Sequence, residues 1–420
     1  MTNPVHAEKL VPRIIPSSPP SLTPARPGAL RVGMVANEPS GDQLGASLIQ
    51  ALQECIPDIH FEGVGGPRMQ AAGCHSLVPM EQLSVMGLVE VVRHLPRLWR
   101  IRRGLARHFL AHPPHVFVGI DAPDFNLRLE EWLHRAHIPT VHYVSPTVWA
   151  WRPGRVRAMR RSLDLMLSVF PFEVAFLERH RVPVRYVGHP LAEEIPLEHD
   201  RAGARARLGL PAHRTVLAVL PGSRVSEVQR LARVFLETAQ WCLERRPQLH
   251  FVIPLVNAPI RALVEAAWQA VDPQLPVTLV DGNSRDVLTA ADLVLTASGT
   301  ATLEALLHQR PMVVAYRLNP LTYWLATRLK LVKVPYVALS NLLVGEALAP
   351  ELLQDACRPA GLGEALLSFL DNPERMRQIQ ERYRQVHQGL RCDSRHRAAE
   401  AVLGVMGLWS EVGHHESGAS

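Results

Sequence analysis

Cysteine is scarce in this chain of 420 residues. The five present (Cys55, Cys74, Cys242, Cys357 and Cys392) are scattered, odd in number and without a C-x-x-C pair. That pattern argues against a disulfide framework or a thiolate zinc site and suits a reducing compartment. No apolar run approaches the length of about 18 residues that spans a bilayer, so the sequence reads as soluble or peripheral. The usual nucleotide fingerprints are missing too. "NEPSGD", at the first strand-to-helix turn, does not supply G-x-G-x-x-G, "GVGGPRM" (Gly63 to Met69) lacks the third glycine at the right offset, and there is no Walker lysine. NAD and FAD are therefore not expected. No His/Asp cluster has metal-ligand spacing and no D-x-D pair closes a strand, so neither cofactor nor metal is expected. Net charge is +6, small for this length, which makes the placement of the arginines more informative than their number.

What is present is an α/β pattern. Short apolar runs ("LRVGMVA", "HVFVGID", "TVHYVS", "LMLSVFP") alternate with helical stretches ("DQLGASLIQALQ", "FNLRLEEWLHRAH", "FEVAFLERH"), the mark of a parallel sheet with crossover helices. A polar interval, "GHPLAEEIPLEHDRAGARARLGLPAHR", precedes a second series: "TVLAVLPGSR", "LHFVIPLV", "VTLVDG", "DLVLTASGT" and "PMVVAY". The expected architecture is two Rossmann-like domains with parallel sheets facing a central cleft. The ranges read as 29–190 and 191–390. Residues 391–420 form a C-terminal helix and tail that packs back on the first domain. Residues 1–28, with "PRIIPSSPPSLTPARPG", read as a disordered tail without a signal-peptide apolar segment.

Four strand-to-helix turns hold the candidate chemistry. In "VGMVANEPSGDQLGASLIQAL", Ser40 or Asp42 could cap the following helix, but a cap gives no reason for Glu38; a carboxylate at a strand's carboxyl end sits where open α/β sheets place ligands. "HVFVGIDAPDFN" ends an apolar strand on Asp121, either a helix cap, with Asp124 as rival, or a second carboxylate reaching the same site as Glu38. In the second half, Gly222, Ser223 and Arg224 ("LPGSRVSEV") lie where backbone N–H groups, a helix dipole and an arginine fork favour a phosphate. Ser298, Gly299 and Thr300 ("ASGTATLEALL") repeat the arrangement, with Glu304 one turn further in as a ribose acceptor; two such openings suggest a diphosphate.

Three stretches mix cations with large apolar groups: "VVRHLPRLWRIRRGLARHFL" (Val91 to Leu110), "WAWRPGRVRAMRR" with Trp149 and Trp151, and "YWLATRLKLVKVPY" with Tyr323 and Trp324. A solvated basic face is the plain reading. Nearby acidic residues and the lack of any binding motif speak against nucleic acid. Basic and aromatic groups together suit an anionic lipid surface. In the first stretch Leu95, Leu98, Trp99, Leu105 and Phe109 recur at helical offsets, with Pro96 expected near a helix start. Leu98, Trp99, Arg100, Arg102 and Arg103 are its candidate membrane or acyl contacts.

Taken in order, "EPSGD", "FEGVGGPRMQAAG", "VMGLVEVV", "FVGIDAPDFN", "HYVSPTVWAWRPGRV", "GHPLAE", "LPGSRVSEV", "ASGTATLEALL" and "NLLVGE" closely resemble the lipid-A-disaccharide synthases, over about residues 30 to 405. The resemblance implies a bacterial inverting glycosyltransferase of the two-Rossmann-domain GT-B type. It would move 2,3-diacylglucosamine from UDP to the 6-hydroxyl of 2,3-diacylglucosamine 1-phosphate (lipid X), leaving UDP and a β-1,6 disaccharide. It implies Asp121 as general base, Glu38 and Ser40 on the acceptor side, and Arg224, Ser298, Gly299, Thr300, Glu304 and Asn341 on the donor side. Partners would be UDP-2,3-diacylglucosamine, lipid X and the cytoplasmic face of the inner membrane; self-association stays open. The chain departs from the family pattern at Asn37, Pro39 and Ser340. A different UDP-sugar enzyme on the same fold, such as an epimerase, is the alternative, and the basic-aromatic stretches speak against its soluble substrate.

Overall fold

A computed structural model describes residues 30–83, 88–146, 155–317 and 336–408. The expectations placed on residues 1–28 and on Trp149, Trp151, Tyr323 and Trp324 lie outside these residues. The chain divides into two compact units. One runs to Pro190 and takes in the residues from Arg391 onward; the other is Leu191–Leu390.

The first unit is built from β1 (Leu30–Val35), α1 (Pro39–Cys55), β2 (Ile59–Val64), α2 (Pro67–Ala71), β3 (Cys74–Ser76), α3 (Leu88–Ala111), β4 (Val116–Ile120), α4 (Pro123–His134), β5 (Thr140–Tyr143), α5 (Arg155–Ser162), β6 (Leu165–Ser168), α6 (Pro171–Arg179) and β7 (Val184–Tyr186). The strands form one sheet in the order β3-β2-β1-β4-β5-β6-β7, and every pair is parallel. Burial follows position. All five residues of β4 are buried, as a central parallel strand covered on both faces requires, whereas those of β7, at the edge, are only half-buried. Proline opens α1, α2, α4 and α6, where its missing N–H forfeits no ladder bond.

The second unit contains α7 (Pro190–Glu194, its first residue shared with the first unit), α8 (Arg201–Arg207), β8 (Thr215–Leu220), α9 (Val225–Arg245), β9 (Leu249–Leu255), α10 (Ala258–Val271), β10 (Val277–Asp281), α11 (Ser284–Ala290), β11 (Leu293–Ala297), α12 (Thr300–Leu307), β12 (Met312–Tyr316), α13 (Leu339–Val344), β13 (Glu351–Leu353), α14 (Pro359–Leu370) and α15 (Pro373–Leu390). Its sheet is again parallel, ordered β10-β9-β8-β11-β12-β13. After α15 the chain returns to the first unit as α16 (Ser394–Val405). There Arg395 and His396 pair with Glu54 at the end of α1, at 3.1 and 2.7 Å.

Two local expectations change. Pro96 lies inside α3 and not near its start. An interior proline forgoes one ladder bond and kinks the helix, but the turns beyond it gain a firm anchor: Leu105 and Phe109 are buried in the core, and the Phe109 ring meets that of Phe117 edge-on at 5.4 Å. The apolar positions of this helix therefore do not form one exposed face. Leu98 and Ile101 pack partly against the same core, while Leu95 and Trp99 remain about half exposed, at 51% and 49%.

Candidate functional site

In both sheets the strand order reverses at one place. It does so between β1 and β4 in the first unit and between β8 and β11 in the second. At such a switch point the two outgoing loops turn to opposite faces and leave a crevice at the strands' carboxyl ends, where open α/β sheets bind ligands. Glu38 and Ser40 follow β1, and Asp121 follows β4; Gly222, Ser223 and Arg224 follow β8, and Ser298, Gly299 and Thr300 follow β11. The four sequence motifs thus occupy the four switch-point strand ends.

In the first unit, Glu38 stands at the cap position of α1 with extended backbone and no side-chain capping bond. The helix starts at Pro39, and Gly41 is its third residue. Neither Ser40 nor Asp42 caps it. Ser40 is exposed, and the buried Asp42 carboxylate accepts from the backbone N–H groups of Arg68 and Met69, both at 3.0 Å, capping α2 instead. Asp42 thereby ties this turn to the "GVGGPRM" loop. Small residues let the helix come close: a methyl at Gly45 would overlap Met69 Sδ and Ile120 Cδ1.

Asp121 and Ala122 are two consecutive left-handed residues, with φ of 54° and 45°. Neither is glycine, and each such residue costs on the order of 1–2 kcal/mol; strain of this kind persists only where its surroundings over-determine it. Here the Asp121 N–H donates to Tyr143 O at 2.8 Å. The fully buried amide of Asn126 donates to the carbonyls of Asp121 (2.9 Å), Val35 (3.2 Å) and Ile120 (3.3 Å). One side chain therefore binds both strand ends of the switch point. Ala122 occupies the cap position of α4, so Asp121 caps nothing and its half-buried carboxylate is left for other work.

In the second unit, Gly222 has φ of 127°, and a side chain there would also run into Glu227. Arg224 caps α9 and is well exposed. The Glu227 carboxylate accepts from its guanidinium at 3.0 Å and from its backbone N–H at 3.4 Å. Glu227 thus aims the arginine at the helix N-terminus. Gly299, with φ of 135°, caps α12, and Thr300 is the first residue of that helix; both are exposed. Ser298 Oγ donates to Val337 O at 3.4 Å, and Thr302 Oγ1 accepts from Leu339 N–H at 3.2 Å while donating to Gly299 O at 2.8 Å. The 337–341 segment is therefore brought against the Ser298–Thr302 turn. Burial pushes the Glu304 carboxyl up, and Arg285 partly offsets it.

Asn341 is placed differently from an open ligand group. It is fully buried, donates to Ala349 O (2.8 Å) and Glu351 Oε1 (2.9 Å), and accepts from Ala349 N–H (2.9 Å). Glu351 also accepts from the N–H groups of Val337 and Ala338, at 2.8 and 3.0 Å. The Asn341–Glu351 bracket shapes the loop that meets Ser298. Among the described residues no group of three His, Cys, Asp or Glu side chains is arranged to hold a metal ion.

The family profile described as lipid-A-disaccharide synthetase matches residues 32–405. The chain belongs to the lipid-A-disaccharide synthase family. It is 56% identical over 374 residues to a lipid-A-disaccharide synthase of Pseudomonas aeruginosa (strain LESB58), covering 89% of this chain and 97% of that one. With that of Pseudomonas syringae pv. syringae (strain B728a) it is 53% identical over 381 residues, covering 91% and 98%. Among solved structures it is similar in fold to Staphylococcus aureus MnaA in complex with UDP (TM-score 0.63, 10% identity, 91% of this chain and 98% of that one). It is also similar to CalG4, the calicheamicin glycosyltransferase (TM-score 0.56, 16% identity, 90% and 99%). The lipid-A-disaccharide synthase fold seen here is the two-domain GT-B type.

Asn126, Glu227 and Glu351 were not among the candidates drawn from sequence. Asn126 lay inside the quoted "DAPDFN" motif. What it lacked was any sign that its amide faces backward onto two strands and not outward toward a ligand.

Proposed function

We propose that this glycosyltransferase of lipid A biosynthesis moves 2,3-diacylglucosamine from UDP to the 6-hydroxyl of 2,3-diacylglucosamine 1-phosphate. The observation that carries the reading is the occupation of both switch points by complementary chemistry. A half-buried carboxylate, Asp121, is held on strained backbone in one unit; an exposed arginine and two helix N-termini stand in the other. Asp121 takes the proton from the acceptor hydroxyl as that oxygen forms its bond to the anomeric carbon, and the bond from that carbon to the diphosphate breaks, its electron pair leaving with UDP. Attack from the face opposite the leaving group inverts the configuration. Arg224 and the N-termini of α9 and α12 take up the growing charge on the diphosphate. Glu304 accepts from the ribose hydroxyls, Glu38 and Ser40 hold the acceptor sugar, and Asn341 keeps the 337–341 loop against Ser298. Incubating the purified protein with UDP-2,3-diacylglucosamine and lipid X, with products read by mass spectrometry, should yield the disaccharide 1-phosphate and UDP. Release of UDP or free sugar without disaccharide would refute the acceptor assignment.

Both substrates carry acyl chains, and the surface of α3 suits the membrane that holds them. Leu95 and Trp99 lie four residues apart among the exposed Arg97, Arg100 and Arg103, and the Arg103 guanidinium lies 5.1 Å from the centre of the Trp99 ring. Arg102 is turned inward: it donates to Asp124 O at 2.9 Å and covers the Phe125 ring at 4.8 Å. The exposed cations, each worth about 1 kcal/mol near an anionic surface, and Trp99 would place the enzyme on the cytoplasmic face of the inner membrane. No described helix is long and apolar enough to cross a membrane. Sedimentation with anionic vesicles should fall when Trp99, Arg100 and Arg103 are all changed to serine. Equal binding to anionic and neutral vesicles would remove this role.

A further inference from the structure

Directly behind the strained loop lies a pair of ionisable side chains that the reaction does not use. Glu130 on α4 and His142 on β5 are both fully buried, with Glu130 Oε1 and His142 Nδ1 2.8 Å apart. Burial pushes the Glu130 carboxyl upward, against the pull of the histidine. Such a pair is a poor source of stability. Taking two ionisable groups out of water carries a desolvation cost that their mutual attraction barely repays, and apolar side chains of similar volume commonly do as well or better.

The surroundings give the pair a geometric task. His142 is the β5 partner of Gly119, two residues before Asp121 on β4, and the next β5 residue, Tyr143, supplies the carbonyl that receives the Asp121 N–H. Glu130 presses against the same strand: a methyl at Gly119 would overlap both Glu130 Oε1 and Asn126 Cβ. Asn126, one turn earlier on α4, is the residue whose amide holds the carbonyls of Asp121, Ile120 and Val35. Fixing Glu130 to β5 therefore fixes the rotation and depth of α4, and with them the Asn126 clamp.

We propose that Glu130 and His142 are positioning residues for turnover: their hydrogen bond locks α4 onto β5 so that Asn126 holds Asp121 in its left-handed conformation. The proposal rests on Asp121 being the base. It acts on the placement of one carboxylate and leaves donor and acceptor contacts alone, so it predicts loss in kcat with KM preserved. A misplacement of about 1 Å at a catalytic group is enough for a loss of about a hundredfold.

Three variants at the pair test this, each measured for kcat, both KM values and thermal midpoint. Glu130→Gln retains an oxygen and the hydrogen bond, and should keep kcat within about threefold of the parent. Glu130→Leu should lose about a hundredfold in kcat, with both KM values changed by less than about threefold. The double variant Glu130→Leu/His142→Phe replaces the pair with apolar volume, and should regain the thermal midpoint while staying slow; if Glu130→Leu alone does not fold, the double variant carries the same comparison. Recovery of kcat together with stability in the double variant would overturn the proposal, as would a loss above about tenfold in Glu130→Gln. Combining Glu130→Leu with Asp121→Asn separates the proposal from the reading beneath it. Residues acting through one another are non-additive, so Glu130→Leu should add little to Asp121→Asn. Full additivity overturns the positioning role and leaves Asp121 as base; near-parental turnover of Asp121→Asn alone overturns the base assignment and the proposal with it.

Discussion

The two switch points solve opposite problems with the same topology. In the mechanism proposed above, the critical group of the first unit is a single carboxylate that must be held in one place, and the backbone around it is strained and locked from behind by Asn126, β1 and β5. In the second unit the same mechanism asks the critical groups to meet a mobile anion. The backbone there turns on glycine at Gly222 and Gly299, and the arginine remains exposed. Rigid backbone thus falls where that mechanism moves a proton, and openness where it receives a charge. If that contrast is right, the first switch point should be broken by subtle chemical changes and the second by loss of charge.

The largest effect is expected from the smallest chemical change. Asp121→Asn keeps size and shape, and should lower kcat by about 10²–10⁴, the range of general-base catalysis, with UDP affinity unchanged by calorimetry. Normal turnover would remove the first half of the contrast.

A second difference is set by pH. Burial depresses His308 in the second unit to about 3 and His199 to about 4, and their rings stack at 5.2 Å. Both are neutral when folded, but in the unfolded chain they bind protons below the ordinary value of about 6.5. The unfolded state therefore holds more protons between those values, and stability falls as pH drops below about 6.5, approaching about 1.4 kcal/mol per pH unit for a fully buried histidine such as His308. His308→Gln should flatten the acid limb of a denaturant-midpoint series. An unchanged slope would mean that other groups govern the acid response.

Charge removal at the second switch point should come next. In the proposed mechanism Arg224→Ala deletes a charge-assisted hydrogen bond to the diphosphate, and it should weaken UDP binding by about 1.5–3 kcal/mol. The loss should fall on UDP binding and not on folding stability, because Arg224 is exposed and its pair with Glu227 is a surface one. Unchanged UDP affinity would place the diphosphate away from α9.

Much of this was legible in the sequence, and what was not has a common cause. Alternating apolar runs such as "HVFVGID" and "DLVLTASGT" announce parallel strands, and the glycine, serine and acidic residues that follow them announce the strand ends. Those signals are local. Asp42, Asn126, Glu351 and the Glu130–His142 pair act across 26 residues, 91, 10 and 12, respectively, and nothing in their neighbourhoods says which backbone they face. Asp42 seemed a cap for its own helix and caps another. Asn341, an expected donor-side residue, has its side chain engaged by Ala349 and Glu351. The division of the Val91–Leu110 stretch likewise depends on which side of α3 meets Phe117, a choice that periodicity alone leaves open.

The smallest expected effect bears most directly on the contrast. Ala122 holds φ 45° and ψ 56° at the start of α4, a conformation that glycine adopts without a Cβ penalty. Ala122→Gly therefore removes local strain from the folded state but adds freedom to the unfolded chain, so the two terms oppose and the net change should stay within about 1 kcal/mol. If strain is part of how Asp121 is aimed, the relaxed variant should keep its thermal midpoint within that narrow range and yet be several-fold slower in kcat, with KM for both substrates unchanged. A variant equally stable and equally fast would show that Asn126 and Tyr143 alone fix the carboxylate. The left-handed pair would then be a consequence of how β4 meets α4, and the first switch point would be no more strained by function than the second.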